Sequence, residues 1–198
     1  MAPSLLEPRT ERLVMRAWRT ADREPFAAMN ADPEVMRFFP AQMTRAESDA
    51  FVDRIGLRLA GNGYGLWALE VVATGEFIGF TGLNPMPEGV PGSGGVEVGW
   101  RLARSAWGHG YATEAGRAAL EVAFSRLGLD EVWSLTAETN AASRAVMSRL
   151  GLSHVATQDH PALAADSPLR LHVFYRITRQ EYAGRATTAM SDRRVCSP

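Results

Sequence analysis

The spacing of apolar residues divides the chain into helical and extended segments. Phe51, Ile55 and Leu59 recur every fourth position, which is the repeat of one face of a helix. Thr44 precedes them and has a glutamate three residues later, the spacing of a capping box. A glycine-containing stretch at 61–63 follows the periodic segment. The pattern therefore predicts a helix that begins at Thr44 and ends at that stretch.

Extended segments surround this helix. RLVMRA at Arg12–Ala17 predicts a first strand, and Asp22 can cap a following helix that reaches about Ala31. Three further apolar runs predict strands at Leu66–Val72, Glu76–Leu83 and Gly95–Leu102. The connections between these three are too short to contain crossover helices. They are therefore expected to form an antiparallel meander.

After residue 102 the pattern changes to alternating helices and strands. Tyr111–Leu127 has an alanine-rich stripe and Gly128 to close it, and Ala141–Leu150 is followed by Gly151. Strands are predicted at Glu131–Thr136, Leu152–Thr157 and Leu169–Ile177. The expected fold class is α/β with a mixed sheet, in which the antiparallel meander joins a β-α-β-α-β half.

Length and composition limit the domain organisation and the classes of partner. The 198 residues suggest one domain, assigned to 1–182, followed by a disordered C-terminal tail at 183–198 that lacks periodicity. A net charge of −1 gives no electrostatic reason to expect nucleic acid or an anionic membrane as a partner. The single cysteine, Cys196, offers neither an internal disulfide nor a CxxC metal pair. With no apolar run long enough for a signal or a membrane span, a cytoplasmic location is expected.

The segment between the third meander strand and the next helix contains the chemistry. The strand ends at Leu102, and the helix opens within Trp107–Thr113. Gly108 and Gly110 allow the backbone to bend tightly and approach a ligand. The free N–H groups and the dipole at the start of the helix then form an anion site, for which a pyrophosphate is the natural occupant. His109 is placed to add a donor.

Two glycines before a helix also fit other interpretations. The loop can be a turn that requires glycine for its backbone alone. A dinucleotide site is the second alternative, but its GxGxxG motif has a glycine where this chain has Thr113. That motif also belongs to a strand of a parallel sheet, usually early in the chain, whereas this strand follows an antiparallel meander.

Two separated motifs resemble a known family. The runs Glu97-Val-Gly-Trp-Arg-Leu and Trp107-Gly-His-Gly-Tyr-Ala-Thr-Glu-Ala resemble the acetyl-CoA-binding core of GNAT acetyltransferases. Trp107 stands at the first position of the family signature, where the RimJ/RimL-type branch commonly has tryptophan. The run Arg9–Trp18 also resembles this branch, whose members acetylate protein N-termini. The second match is Asn140-Ala-Ala-Ser, followed by Ser148-Arg-Leu-Gly-Leu. The resemblance extends from about Thr10 to Tyr182.

This resemblance implies a GNAT-like fold with acetyl-CoA as cosubstrate and no metal. Strands Gly95–Leu102 and Glu131–Thr136 would splay apart, and the pantetheine arm would bond to backbone near Leu102. Asn140, which also suits a helix N-cap, would bind this arm, and the Ser143 hydroxyl would hydrogen-bond the leaving thiolate. The expected cofactor-binding loop consists of Trp107, Gly108, His109, Gly110, Tyr111, Ala112 and Thr113.

The expected reaction is direct attack of a neutral primary amine on the thioester in a ternary complex. Glu97 is the candidate general base, with a solvated surface carboxylate as the alternative. His160 and His172 either line the acceptor side or have structural roles. The acceptor can be a protein N-terminus or a small-molecule amine, and relatives commonly form homodimers. The alternative function is a regulatory domain that binds acyl-CoA without turnover.

Overall fold

The computed structural model describes residues 3–185, which form one mixed seven-stranded sheet. The strands are β1 (Leu13–Arg16), β2 (Leu66–Val71), β3 (Phe77–Pro85), β4 (Val96–Leu102), β5 (Glu131–Ala137), β6 (Ser153–Asp159) and β7 (Leu171–Thr178). Their order across the sheet is β1-β2-β3-β4-β5-β7-β6, and β4 and β5 are the parallel neighbours. The predicted antiparallel meander β2-β3-β4 and the mixed α/β class are confirmed.

The principal helices are α1 (Arg23–Ala31), α2 (Arg45–Asn62), α3 (Tyr111–Glu121) and α4 (Ala141–Leu150). A wider π turn at Val122–Arg126 continues α3, with the Leu127 N–H donating to the Val122 carbonyl at 3.0 Å. Among residues 3–185, no helix has the length and apolar character needed to cross a bilayer.

The predicted boundary at residue 182 falls inside a helical turn. Residues 179–185 are helical, so helical structure continues three residues past the predicted end of the domain. The remainder of the predicted tail, residues 186–198 with Cys196, lies outside the described residues. Its disorder therefore stays a prediction.

The predicted capping of α2 is confirmed at both ends. The Glu47 N–H donates to the Thr44 hydroxyl at 3.3 Å, and the Thr44 N–H donates to the Glu47 carboxylate at 2.7 Å. At the other end Gly63 has a φ of 74°, and its N–H donates to the Leu59 carbonyl at 2.9 Å. A left-handed residue of this kind ends a helix at low cost only when it is glycine. Local sequence therefore determines where α2 starts and stops.

Helices pack on both faces of the sheet. Phe80 of β3 lies 6.1 Å from Phe26 of α1 and 6.0 Å from Phe51 of α2, measured between ring centroids, so α1 and α2 cover one face. On the other face α3 contacts β3 and β4, and Gly116 of α3 packs tightly against Leu150 of α4. Most of the core, including Trp67 and Leu120, forms a single apolar cluster that both layers share.

Strand β4 presents a different set of residues to each layer. Its register places Arg101 beside Phe80, so Arg101 and the alternate residues Glu97 and Gly99 point toward the α2 face. Val98, Trp100 and Leu102 point toward α3. Polar chemistry is therefore concentrated on the α2 side of β4.

Candidate active site

A cleft of about 2070 Å³ opens where β4 and β5 separate. Glu97 opposite Trp133 is the one register pair between these strands in the described chain, and the Ser134 hydroxyl adds a 2.9 Å bond to the Val98 carbonyl. Both strands continue past this point, to Leu102 and Ala137, without further register pairs. The predicted splay of the two strands is therefore present, and the wedge widens toward their carboxyl ends.

The glycine loop lies at the wide end of the wedge. Gly108 and Gly110 have φ values of 79° and 80°, a region that side chains with a Cβ rarely adopt. A Cβ at Gly108 would meet no atom within 4 Å, so the backbone there is open to an approaching group. Gly110 is the N-cap of α3, whose first N–H groups point away from the helix. Backbone geometry and helix dipole together fit a phosphate group.

An arginine from the N-terminal segment holds this loop in place. Arg12 donates from Nη1 to the His109 carbonyl at 3.0 Å and from Nε to the Glu114 carboxylate at 2.7 Å. Its guanidinium also lies 4.9 Å from the centroid of the Tyr111 ring. Burial alone would raise the pKa of Glu114, but hydrogen bonds from Thr10 and Arg12 hold that pKa below its ordinary value. The ionised carboxylate therefore anchors Arg12 beneath the start of α3.

Trp107 occupies the position that departs from the usual signature. Its indole Nε1 donates to the Leu102 carbonyl at 3.0 Å, and its side chain is half-exposed in the cleft. Sequence reasoning had assigned backbone near Leu102 to the pantetheine arm. That carbonyl already accepts one bond, and its second lone pair leaves room for another.

Asn140 caps α4 as predicted on physical grounds. Its Oδ1 accepts from the Ser143 N–H at 3.2 Å. Its Nδ2 donates to the Thr136 hydroxyl at 2.9 Å and to the Ser143 hydroxyl at 3.2 Å. The amide therefore fixes the Ser143 hydroxyl at the edge of the cleft. The contacts of both side chains to a pantetheine arm stay predictions.

Glu97 lines the narrow end of the wedge and is partly buried. Burial raises the pKa of its carboxyl group to about 7, against the opposing effect of a hydrogen bond from Asn84. That bond joins Asn84 Nδ2 to Glu97 Oε1 at 3.2 Å. Arg58 of α2 donates to Asn84 Oδ1 at 2.5 Å, which orients the amide with its NH₂ group toward Glu97. A carboxyl with a pKa near neutrality can take up a proton during a reaction at physiological pH.

The structure brings nearly all the predicted site residues together. Glu97, Leu102, Asn140, Ser143 and the loop residues line the cleft, except for His109, whose ring stacks on Tyr111 at 5.5 Å outside the cleft lining. His160 and His172 also line the cleft, with their ring centroids 4.9 Å apart.

Sequence reasoning missed four contributors to the site. Arg12 and Glu114 lie within matched motifs, but their contact spans 102 positions and no local pattern signals it. The predicted strand Glu76–Leu83 ended one residue before Asn84, whereas β3 continues through Asn84 to Pro85 and pairs it with Glu97. Arg101 was counted only as part of a motif. An arginine in an otherwise apolar strand was the available signal.

Comparison with known proteins agrees with this geometry. Residues 12–153 match the family model described as "Acetyltransferase (GNAT) domain". The chain is 36% identical over 171 residues to the FsC-acetyl coenzyme A-N(2)-transacetylase of Aspergillus fumigatus, covering 81% of this chain and 71% of that protein. It is 30% identical over 149 residues to the uncharacterized protein YkkB of Bacillus subtilis, covering 75% and 86%.

A solved structure from the same class supports the fold. The acetyltransferase from Agrobacterium tumefaciens str. C58 superposes with a TM-score of 0.71 at 26% identity, covering 89% of this chain and 96% of that one. Enzymes of this class transfer an acetyl group from acetyl-CoA. The family match over most of the chain, together with the wedge and the glycine loop, shows that the chain belongs to the GNAT acetyltransferase family.

Proposed function

We propose that this protein is an N-acetyltransferase that moves the acetyl group of acetyl-CoA to a primary amine within a ternary complex. The proposal rests on the position of Glu97, whose carboxyl has a pKa of about 7, at the narrow end of the wedge. The wide end of the same wedge holds the glycine loop, whose geometry fits a phosphate. A relative whose name specifies acetyl coenzyme A and an N(2) position supports nitrogen as the acceptor atom.

Two side chains assist this reaction, one by accepting a proton and one by donating a hydrogen bond. Acetyl-CoA supplies a thioester as the acyl donor. As the amine nitrogen bonds to the acyl carbon and the carbon–sulfur bond breaks, Glu97 accepts the proton that the amine loses. Ser143, oriented by Asn140, donates a hydrogen bond to the departing thiolate. No side chain has to form a covalent link to the acyl group.

The RimJ/RimL-type branch is the subgroup we propose. Its support is Trp107 at the first signature position and the N-terminal run through Arg12, which clamps the loop. Both a protein N-terminus and a small-molecule amine remain acceptors under this proposal. An N-terminal α-amine has a pKa of about 7.7–8.0, against about 10.4 for lysine, and therefore needs less help from a base.

Thermal unfolding with CoA, acetyl-CoA and NAD in parallel tests the donor. A ligand at a hundred times its dissociation constant adds about 2.7 kcal/mol to the free energy of unfolding. We expect CoA and acetyl-CoA to raise the midpoint and NAD to leave it unchanged. If neither CoA species shifts the midpoint at millimolar concentration, the wedge is not a CoA site.

Thiol release then separates the enzyme from a regulatory domain that only binds acyl-CoA. We expect CoA thiol to appear at a rate that depends on added amine, with the acetylated amine as the second product. Binding without any amine-dependent release would favour the regulatory alternative. The same assay with a panel of amines identifies the acceptor class.

A further inference from the structure

The α2 side of the cleft carries more positive than negative charge. Arg37, Arg54, Arg58 and Arg101 line it, whereas Glu34 and Glu97 are its carboxylates. Within residues 3–185, none of these four arginines forms an ion pair. On the same helix, by contrast, Arg45 lies outside the cleft and pairs with Asp49 at 2.8 Å. On α2 itself, Arg54 and Arg58 therefore lie on the side that faces the cleft and carry charge that no carboxylate of the described chain pairs.

Arg101 is the strongest of these observations. The side chain is 7% exposed, and its Nε is buried without a hydrogen-bond partner. Nη1 donates to the buried Asn30 Oδ1 at 2.7 Å, and the Phe39 ring centroid lies 4.0 Å from the guanidinium. Burial lowers the pKa of Arg101 to about 10, so the side chain is still cationic at neutral pH. A buried cation without a carboxylate is costly, and a cleft-lining position makes an external anion a suitable partner.

Two exposed arginines on α2 complete the arrangement. Arg54 and Arg58 are four residues apart and therefore lie on one face of the helix, the face that lines the cleft. Arg58 uses one N–H to hold Asn84, and the Arg54 guanidinium lies 5.5 Å from the Phe51 ring centroid. Each retains N–H donors in the fork geometry that carboxylates and phosphates bind.

The floor between Glu97 and Arg101 is bare backbone. Gly99 lies between them on the same face of β4, and a Cβ there would meet no atom within 4 Å. Glu97 and Arg101 are four residues apart, which at about 3.3 Å per residue separates their Cα atoms by about 13 Å, so this floor has the length of a small molecule. The cations of the CoA side, Arg117 on α3 and Arg149 on α4, belong to the opposite layer.

We propose that the acceptor is an amine that also carries an anionic group, which Arg54 and Arg101 bind while its nitrogen lies at Glu97. This inference rests on the proposed function and specifies the substrate class for the same site. A carboxylate and a phosphate share the required chemistry.

Matched acceptor pairs test the substrate class by thiol release. Phenylalanine is compared with phenylalaninamide, and phosphoethanolamine with ethanolamine. In each pair the anion raises the pKa of the neighbouring amine, so at neutral pH the member without the anion has the larger fraction of free amine available for attack. We nevertheless expect kcat/KM to favour at least one anionic member by about tenfold or more, since paired charges at the site contribute binding that the neutral member lacks. A preference for phenylalanine would identify the anion as a carboxylate, and a preference for phosphoethanolamine would identify it as a phosphate.

Variants connect that preference to the arginines. Arg54→Gln should lower the preference for the anionic member by about threefold, because Arg54 is exposed and its ion pair would be screened by water. Arg101→Gln should abolish the preference. The affinity for CoA should change by no more than about twofold in either variant, because neither arginine lies on the CoA side. Arg45→Gln, on the same helix but outside the cleft, is the matched control and should behave as wild type. If Arg101→Gln does not fold, Arg54→Gln still tests whether the arginines cause the preference for the anionic acceptor.

A binding measurement avoids dependence on turnover. With CoA present, N-acetylphenylalanine or N-acetylphosphoethanolamine should raise the unfolding midpoint more than its uncharged counterpart. Equal or weaker effects of the anionic members in both assays would overturn the anionic-acceptor proposal while leaving N-acetyl transfer intact. A tenfold loss of CoA affinity in Arg54→Gln, with the acceptor preference unchanged, would also overturn it. Failure of the proposed function itself differs, because CoA would then not shift the midpoint.

Discussion

At the scale of single residues, the chemistry depends on how Glu97 is surrounded. Burial favours its neutral form, and the Asn84 amide partly opposes this, which leaves the pKa near 7. A general base works only when deprotonated, so activity should rise as the pH increases through this value. Substitutions of Glu97 and of Asn84 should therefore change the pH profile of kcat/KM in different ways.

Glu97→Gln should lower kcat by about 100-fold or more, because the base is lost, and should remove the limb near pH 7. Asn84→Ala should keep that limb but move it to higher pH, since the bond that lowers the Glu97 pKa is gone. Profiles of kcat/KM with two acceptors of different amine pKa separate this limb from titration of the amine. An unchanged limb in Glu97→Gln would assign it to another group.

The same variant has a readout that does not require activity. A folded-state pKa raised to about 7 means that wild-type Glu97 binds a proton on folding. The stability of the wild type should therefore fall as the pH rises from the ordinary carboxyl pKa through about 7. Glu97→Gln should lack this decline, so urea unfolding at pH 5 and pH 8 should favour the variant more at pH 8. Parallel pH dependence in both proteins would contradict the raised pKa.

At the scale of elements, the start of α3 combines a backbone conformation that requires glycine with the proposed phosphate-binding N–H groups. Gly110→Ala should cost about 1–2 kcal/mol of stability, because its φ of 80° is unfavourable for a residue with a Cβ. It should also weaken CoA binding, because relief of the strain would turn the first N–H groups of the helix away from the phosphates. Calorimetric titration with CoA measures this effect.

Gly75→Ala is the matched control for this substitution. Gly75 has a φ of 71° in the turn between β2 and β3, and a Cβ there would meet nothing within 4 Å. The stability cost should be similar, since the backbone strain is similar. CoA affinity should be unchanged because the turn does not line the cleft. Equal losses of affinity in both variants would mean that general destabilisation, and not loop geometry, is responsible.

At the scale of the whole molecule, the sheet has its fewest strand contacts between β4 and β5, where the cleft opens. β4 and β5 share one register pair within residues 3–185, whereas β5 and β7 pair along seven positions. A ligand in the wedge would join the two halves by replacing the missing strand contacts. Binding should therefore stabilise both sides of the wedge together.

Hydrogen exchange with and without CoA tests this coupling. At a hundred times the dissociation constant, amides of β4 and β5 that exchange through wedge opening or global unfolding should slow by about a hundredfold. Amides at the β1 edge that exchange by local fraying should be unaffected. Protection confined to the loop before α3 would mean that CoA binds there without bridging the halves.

Features that depend on residues close together in the sequence were predictable from the sequence. The start of α2 follows from Thr44 and Glu47, three positions apart, and its end follows from Gly63, which donates to a carbonyl four residues earlier. The meander followed from connections too short for helices. The glycine loop followed from Gly108 and Gly110, because positive φ requires glycine whatever the remainder of the fold does.

Contacts between distant segments were decided only by the tertiary structure. The register of β3 against β4 places Asn84 on Glu97, and the packing of the N-terminal segment on α3 joins Arg12 to Glu114. Arg101 is a cation without a carboxylate only because α2 and Phe39 enclose it. A sequence specifies which residues can pair, but strand register and layer packing depend on summed interactions along whole elements. For this reason the sequence alone determined the elements, the family resemblance and the loop, whereas only the fold determined the partners of Glu97 and the unpaired charge that lines the cleft.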